Sequence, residues 1–244
     1  MDYLDCLAAD YIRLRAVAET ALDAAVPSCP SWTMADLVRH VAEVYQHKTA
    51  AMRDNAFPRP WPPDLTGREP IEVLDESYEA LLDQFDQLEP EDQRITWYAA
   101  EQTVGFWQRR MAQETVIHRI DAELAAGVDS EVVPDALAID GIDEVLHRFL
   151  AYFSTEAPEE FGAALAALAG QRVAVRSAGS TWIVDLQPTG VKIDTDGAAD
   201  ATVTGDPDAV LRWLWRRADY DAVTADGDLD AVKALYAVLE EATQ

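Results

Sequence analysis

Apolar residues recur at three- and four-residue steps over most of the first 155 residues, which is the spacing of helices that bury one face. The pattern predicts helices over about 2–26, 34–52, 71–88, 107–127 and 136–153. Thr33 and Asp36 form a capping-box pair at the start of the second helix, and Gly127 follows the fourth as its C-terminal glycine. The proline-rich stretch "FPRPWPPDLTGREP" indicates an ordered loop after the second helix. This part of the chain is therefore predicted to be a helical bundle.

The pattern changes near Gly170. Four short segments alternate apolar and polar residues with a period of two, which is typical of strands: "RVAVRS", "TWIVDLQ", "GVKIDT" and "DATVTG". Asp206 and Pro207 predict the start of a helix that runs through "AVLRWLWRRAD", and a last helix covers about 228–242. The predicted fold class is α followed by α+β. An N-terminal four-helix bundle, with up to five helices, occupies residues 1–155, and a small α+β domain occupies residues 165–244.

The fourth helix, "WQRRMAQETVIHRIDAELAAG", departs from its own pattern. The three- and four-residue steps that begin at Trp107 lead to Glu114, His118 and Asp121, where apolar residues are expected. A spacing of four places Glu114 and His118 on one face of the helix, one turn apart. This spacing alone is common in acidic helical proteins, and a polar stripe or a structural histidine explains it equally well.

The second helix favours a metal site. His40 lies on its apolar side, where an imidazole needs a partner, and His47 lies two turns further along the same face. Helical bundles build metal sites from histidines and carboxylates on facing helices. Two imidazoles and one carboxylate suit zinc with an open fourth position, so the predicted ligands are His40, Glu114 and His118. Asp121 is predicted to orient a ligating histidine.

Composition excludes several classes of partner. The chain of 244 residues has 45 acidic and 19 basic residues and a formal net charge of −26, which repels nucleic acids and anionic membrane surfaces. It has no apolar run long enough to span a membrane, and its N-terminus lacks the features of a signal peptide. With two cysteines, Cys6 and Cys29, a cytoplasmic location is predicted. We expect Cys29 to be an apolar filler beside Trp32.

The sequence resembles the mycothiol-dependent maleylpyruvate isomerase-like family. The resemblance is carried by "CPSWTMADLVRHVAEVYQHK", "QTVGFWQRRMAQETVIHRIDAELAAG" and "DGIDEVLHRFL". It implies a DinB-like bundle, zinc on His40, Glu114 and His118, and mycothiol whose thiol reaches the open position. In the C-terminal part the family, related to sterol-carrier-like folds, has Gly-Arg after a helix. Here Arg217 matches the arginine and Arg216 replaces the glycine.

The metal-site pattern and the resemblance together imply a mycothiol-dependent zinc enzyme that activates a small thiol for addition to, or transfer onto, an electrophilic small molecule. Isomerase and S-transferase reactions both fit. Asp121 and Arg217 are predicted to be catalytic, Arg217 by holding a substrate carboxylate unless it is a surface residue. His47 is predicted to bind the cofactor, and His147 to have a packing or surface role. The alternatives are a metal-dependent hydrolase and a non-catalytic metal-containing binding module. The identity of the divalent metal, and whether the chain is a monomer or a homodimer, stay open.

Overall fold

The structure, a computed structural model, describes residues 1–243, which form two compact units. The first unit is Met1–Glu131, and the second begins at Val132. The sequence analysis set the domains at 1–155 and 165–244, and Gln244 lies outside the described residues. The predicted boundary and the compact units differ over residues 135–156. The helical segments of these residues pack against elements of the second unit. Helical periodicity identifies a buried face but not the partner that buries it.

The first unit is the predicted four-helix bundle. Its helices are α1 (Tyr3–Ala18), α2 (Met34–Asp54), α3 (Pro70–Asp86) and α4 (Val104–Ala126). Helix α1 packs on α4, and α2 packs on both α3 and α4. The predicted capping box of Thr33 and Asp36 is present, and Gly127 ends α4 in the left-handed conformation with a φ of 65°. Within the described residues, no helix is long and apolar enough to cross a membrane.

Helix α1 ends earlier than predicted. The sequence pattern extends to residue 26, whereas the helix ends at Ala18. The following residues form turns that fold back along the start of α2, where the backbone N–H of Met34 donates to the carbonyl of Ala24. Ala25 and Thr33 also pair as an isolated β-bridge. The apolar residues after Ala18 therefore continue the periodicity without continuing the helix.

Helix α4 is buried on nearly every side. Most of its residues between Val104 and Glu123 are buried, including arginines, a histidine and carboxylates. The apolar residues of a helix that is buried on nearly every side need not follow a single stripe. Its buried polar side chains must instead find hydrogen-bond partners. This position explains the irregular pattern that the sequence showed over residues 107–127.

A buried ion network joins α4 to α1. The guanidinium of Arg119 donates from Nε to Asp10 Oδ1 at 2.9 Å and from Nη1 to Glu123 Oε2 at 2.8 Å. The Arg119 side chain is 2% exposed and that of Glu123 is fully buried. Arg13 of α1 also donates to Glu123, at 2.8 Å. Each buried charge in this network has a partner of opposite sign.

The second unit is an α+β structure, as predicted. It begins with a continuous helical stretch made of α5 (Asp135–Glu144), a π-helical segment (Val145–Ala151) and α6 (Tyr152–Glu156). Helix α7 (Pro158–Ala166), which is kinked at Gly162, was not predicted. The five-stranded sheet has the order β3-β2-β1-β4-β5, with β1 and β4 parallel and the other neighbours antiparallel. Its strands are β1 (Gln171–Ser177), β2 (Ser180–Gln187), β3 (Gly190–Asp194), β4 (Ala201–Thr204) and β5 (Thr224–Gly227).

Two helices complete the second unit, α8 (Pro207–Leu214) and α9 (Leu229–Ala242). Helix α8 is shorter than its predicted span because Arg216 has a φ of 60°, which ends the helical path. The resembling family has glycine at this position, and glycine adopts positive φ without strain. Here the Arg216 guanidinium lies over the ring of Tyr236, 4.3 Å from its centroid, and donates to the Tyr236 carbonyl. These contacts hold a non-glycine residue at positive φ.

We predict that Arg119→Met destabilises the first unit by about 3–5 kcal/mol, because it leaves the carboxylates of Asp10 and Glu123 buried beside each other with fewer cations. Arg53→Met is the matched control. Arg53 pairs with Asp54 on the surface, so we expect a change of about 0.5 kcal/mol or less. Urea unfolding followed by circular dichroism measures both. Equal midpoints for the two variants would contradict the structural role of the network.

Candidate metal centre

Three side chains from two helices converge in the first unit. His40 comes from α2, and Glu114 and His118 come from α4. Glu114 Oε1 lies 3.3 Å from His40 Nε2 and 3.2 Å from His118 Nε2. One ligand atom from each of the three residues lies within 4.8 Å of the others. The structure thus brings together the three residues that the sequence analysis predicted as metal ligands.

The orientation of His118 is fixed by a carboxylate on the ring nitrogen that faces away from Glu114. Its Nδ1 lies 2.9 Å from Oδ2 of Asp121, whose side chain is fully buried. The hydroxyl of Ser28 donates to the other oxygen of Asp121. A carboxylate beside Nδ1 keeps a proton on that nitrogen. Nε2, which faces Glu114, is then the nitrogen that can bind a metal. Asp121 therefore lies where it can orient His118, which is the position that the sequence analysis predicted for it.

The orientation of Glu114 is fixed in the same way. Arg110, one turn earlier on α4, donates from Nη2 to Glu114 Oε2. The second oxygen, Oε1, is the one that lies near both histidines. Sequence reasoning missed Arg110. The signal was available, since an arginine four residues before a glutamate on a helix is within reach of its carboxylate.

Access to the centre is from the side of His40. The His40 side chain is 34% exposed, whereas that of His118 is 10% exposed. The His40 ring packs against Trp32, with 4.8 Å between ring centroids. An open cleft borders this side; its lining residues are Ser31, Trp32, Asp36, Arg39, His40 and Glu43.

The charges of the site are strongly coupled. Burial opposes ionisation of Glu114, but His118 and Arg110 outweigh it and hold the pKa of Glu114 well below its usual value. Burial likewise opposes protonation of His118, but Glu114 and Asp121 raise the pKa of His118 to about 9. Without a metal, both ring nitrogens of His118 therefore carry a proton at neutral pH, and the imidazole is positively charged. A bound cation would replace that proton and satisfy the same carboxylates.

The donor set fits a divalent metal. For ligands at about 2.0–2.1 Å in a tetrahedral arrangement, neighbouring ligand atoms are separated by about 3.3 Å. The two distances from Glu114 Oε1, 3.2 and 3.3 Å, agree with that separation. Two imidazoles and one carboxylate are the protein ligands of catalytic zinc sites that keep a fourth position open.

His47 lies outside this cluster. Its ring packs between Phe57 and Trp61 of the proline-rich loop, with centroid distances of 5.6 and 4.9 Å. Its Nδ1 lies 3.2 Å from Nζ of Lys48. Burial and the neighbouring ammonium lower the pKa of His47 to about 4, so the ring is neutral and its nitrogen accepts from Lys48. The prediction that His47 binds a cofactor stays a prediction.

Lys48 is a second residue that sequence reasoning missed. Its ammonium lies 5.2 Å from the centroid of the Trp107 ring. Burial lowers the pKa of Lys48 to about 8; Glu114 partly offsets this effect, and Arg110 adds to it. An analysis of apolar periodicity assigns lysine to the solvent-facing side of a helix. The only indication in the sequence was that Lys48 lies eight residues after His40 on the same helix.

Arg217 belongs to the second unit. Its Nη1 donates to the carbonyl of Trp215 at 2.6 Å, and its guanidinium lies 6.0 Å from the centroid of the Trp215 ring. The predicted catalytic role of Arg217 stays a prediction. His147, which was expected to have a packing or surface role, lies in the π-helical segment, and its Nε2 is 3.5 Å from Asp143 Oδ1.

Two family models match consecutive parts of the chain. The model described as the mycothiol maleylpyruvate isomerase N-terminal domain matches residues 5–123, and the MDMPI C-terminal domain matches residues 136–234. No curated protein matches the sequence.

Solved structures share the fold. The crystal structure of a mycothiol-dependent maleylpyruvate isomerase is 15% identical, covers 92% of this chain and 91% of its own, and has a TM-score of 0.61. A mutant of that enzyme has the same coverage and TM-score at 12% identity. A ubiquinone synthesis protein with an SCP2 domain covers 44% of this chain with a TM-score of 0.33, which is too low to support the sterol-carrier likeness.

We predict that His40→Ala, Glu114→Gln and His118→Ala each abolish metal binding at micromolar concentrations, because each removes one of three protein ligands. His147→Ala, the matched control from the second unit, should keep the metal content of the wild type. Metal analysis of protein purified without a histidine tag measures the content. A wild-type protein without divalent metal, or three ligand variants that retain it, would exclude the site.

The raised pKa of His118 predicts that the metal-free protein loses stability as the pH rises. The contribution of the protonated imidazole is fully present below about pH 6.5, the pKa of an unfolded histidine, and is lost as the pH rises through about 9. Glu114 acts in the opposite direction, and its contribution is lost only in acid. Melting temperatures with a chelator between pH 6 and 9.5 measure the slope, which should be reduced in His118→Ala. The same slope in both proteins would contradict this assignment.

Proposed function

The chain belongs to the mycothiol maleylpyruvate isomerase family, and from this premise we propose that it is a metal-dependent enzyme that activates the thiol of mycothiol toward an electrophilic small molecule. The single observation that carries the proposal is the convergence of His40, Glu114 and His118 on one point within the matched N-terminal domain. Zinc is the metal that best suits two imidazoles and one carboxylate.

Each residue of the centre has a separate task in this proposal. His40, Glu114 and His118 hold the metal. When bound, the metal supplies Lewis acidity that favours the thiolate form of a thiol. Asp121 keeps Nε2 of His118 directed at the site, and Arg110 keeps Oε1 of Glu114 directed at it.

The chemistry is nucleophilic addition. The thiolate adds to an electrophilic carbon of a conjugated double bond, which forms a C–S bond and leaves a single bond free to rotate. Expulsion of the thiolate restores the double bond with changed geometry, and the result is isomerisation. Protonation of the adduct without expulsion gives a conjugate, which is the S-transferase outcome. Arg217 is proposed to hold a substrate carboxylate by a two-pronged contact.

His47 keeps its proposed role near the thiol cofactor. Its neutral ring and its aromatic neighbours, Phe57 and Trp61, offer an apolar surface with a polar edge. A hydrolase would use the same metal ligands but would not need a thiol. Dependence of turnover on mycothiol therefore separates the two functions.

We expect the zinc-loaded protein to isomerise maleylpyruvate only when mycothiol is present, and mycothiol to raise the melting temperature by mass action. Asp121→Asn should lower metal affinity or kcat/KM by about 10- to 100-fold, because it weakens the hydrogen bond that orients His118. Asp83→Asn, at an exposed position of α3, is the matched control and should behave as the wild type. Turnover that is equal with and without mycothiol would refute the proposed function.

A further inference from the structure

Lys48 places a cation inside the first unit without a carboxylate beside it. Its ammonium contacts Nδ1 of His47 at 3.2 Å and the ring of Trp107 at 5.2 Å from the centroid. Within the described part of the chain, its ammonium has no carboxylate oxygen within 4.0 Å. Two buried arginines of the same unit are different, because Arg110 is paired with Glu114 and Arg119 with Asp10.

Such an arrangement is costly to the folded chain. A partly buried ammonium loses part of its hydration, and a neutral imidazole with an aromatic face replaces only some of it. Methionine has an unbranched side chain of similar length without a charge, so it would avoid that cost. A charge kept at the expense of stability indicates a binding role for that charge.

The surroundings of Lys48 suit a small planar anion. Trp107 is fully buried, and its indole is fixed by a 2.9 Å hydrogen bond from Nε1 to the carbonyl of Ile95. Trp61, which packs on His47, is 36% exposed and connects this group to solvent. Aromatic rings beside a small number of placed charges are the groups with which proteins bind and orient small conjugated ligands.

Lys48 also lies near the metal centre. On α4, Trp107, Arg110 and Glu114 follow one another at three- and four-residue steps, so they share a face. The ammonium over Trp107 is thus about two helical turns, or about 10 Å, from Glu114 along the helix. A molecule of several carbon atoms spans that distance.

We propose that Lys48 binds a carboxylate of the electrophilic substrate and so positions its reactive carbon toward the metal centre. The inference rests on the proposed function for the identity of the substrate, but not for the existence of the anion site. Because the chain has a net charge of −26, an anion needs such a local cation in order to bind at all.

The test uses zinc-loaded full-length protein and two probes of the same shape, the dianion maleate and its neutral diamide, with affinities measured by calorimetry. Lys48→Met should weaken maleate binding at least tenfold and leave diamide binding within about twofold. Lys48→Arg, which keeps the charge, should bind maleate within about threefold of the wild type. Lys192→Met removes an exposed lysine of β3 and should change neither affinity.

A second measurement guards against a purely structural effect. Lys48→Met without ligand should melt at or above the wild-type temperature, because it removes a partly buried charge that has no carboxylate partner. A lower melting temperature, unchanged maleate affinity, or a wild type that binds no maleate at 10 mM would each overturn the inference. Zinc content and mycothiol dependence are measured in parallel. If zinc or mycothiol dependence is absent while maleate still binds, the result counts against the proposed function alone. If both are present but maleate does not bind, the result counts against the Lys48 site alone.

Discussion

A helix that is buried on nearly every side must satisfy each polar side chain it carries, and the first unit is organised around this constraint on α4. Two charged clusters meet it in different ways. Around Arg119, the carboxylates of Asp10 and Glu123 are paired with guanidinium groups, which cannot lose their charge. Around His118, the carboxylates of Glu114 and Asp121 are satisfied by an imidazole, whose charge depends on a proton. The cations of the first cluster are permanent, whereas the oxygen atoms of the second that face His118 are satisfied by a cation that can lose its charge.

This difference separates a structural site from a chemical one on the same helix. The Arg119 network lies against α1 and has no exposed member on α4. The His118 cluster reaches α2, where His40 is one-third exposed and borders an open cleft. Asp121 and Arg110 hydrogen-bond to the two candidate ligands on α4, His118 and Glu114, and fix their orientation. A centre with fixed ligands and one accessible edge is preorganised for a metal with an open position.

Sequence reasoning reached the bundle, the capping box at Thr33 and the residues of the triad, because each has a fixed spacing on a helix. Composition and periodicity also gave the change from helices to sheet. Residues whose role comes from a partner distant in sequence were missed, as Lys48 over Trp107 illustrates. Strand β5, with the sequence TADG, has no apolar alternation, and its pairing with β4 becomes visible only in the sheet. The compact units divide after Glu131 because tertiary packing assigns the 135–156 helices.

The hydrogen bond from Ser28 to Asp121 has a consequence for synthesis of the chain. These residues are 93 positions apart, and the segment that carries Ser28 folds back along the start of α2. A nascent chain that has released α2 presents His40 alone, and one imidazole holds a divalent ion weakly. The two candidate ligands of α4, and the carboxylate hydrogen-bonded to one of them, emerge much later and within one helix. A metal held by these three residues could therefore be captured only after the bundle has assembled around α4, and not by α2 alone.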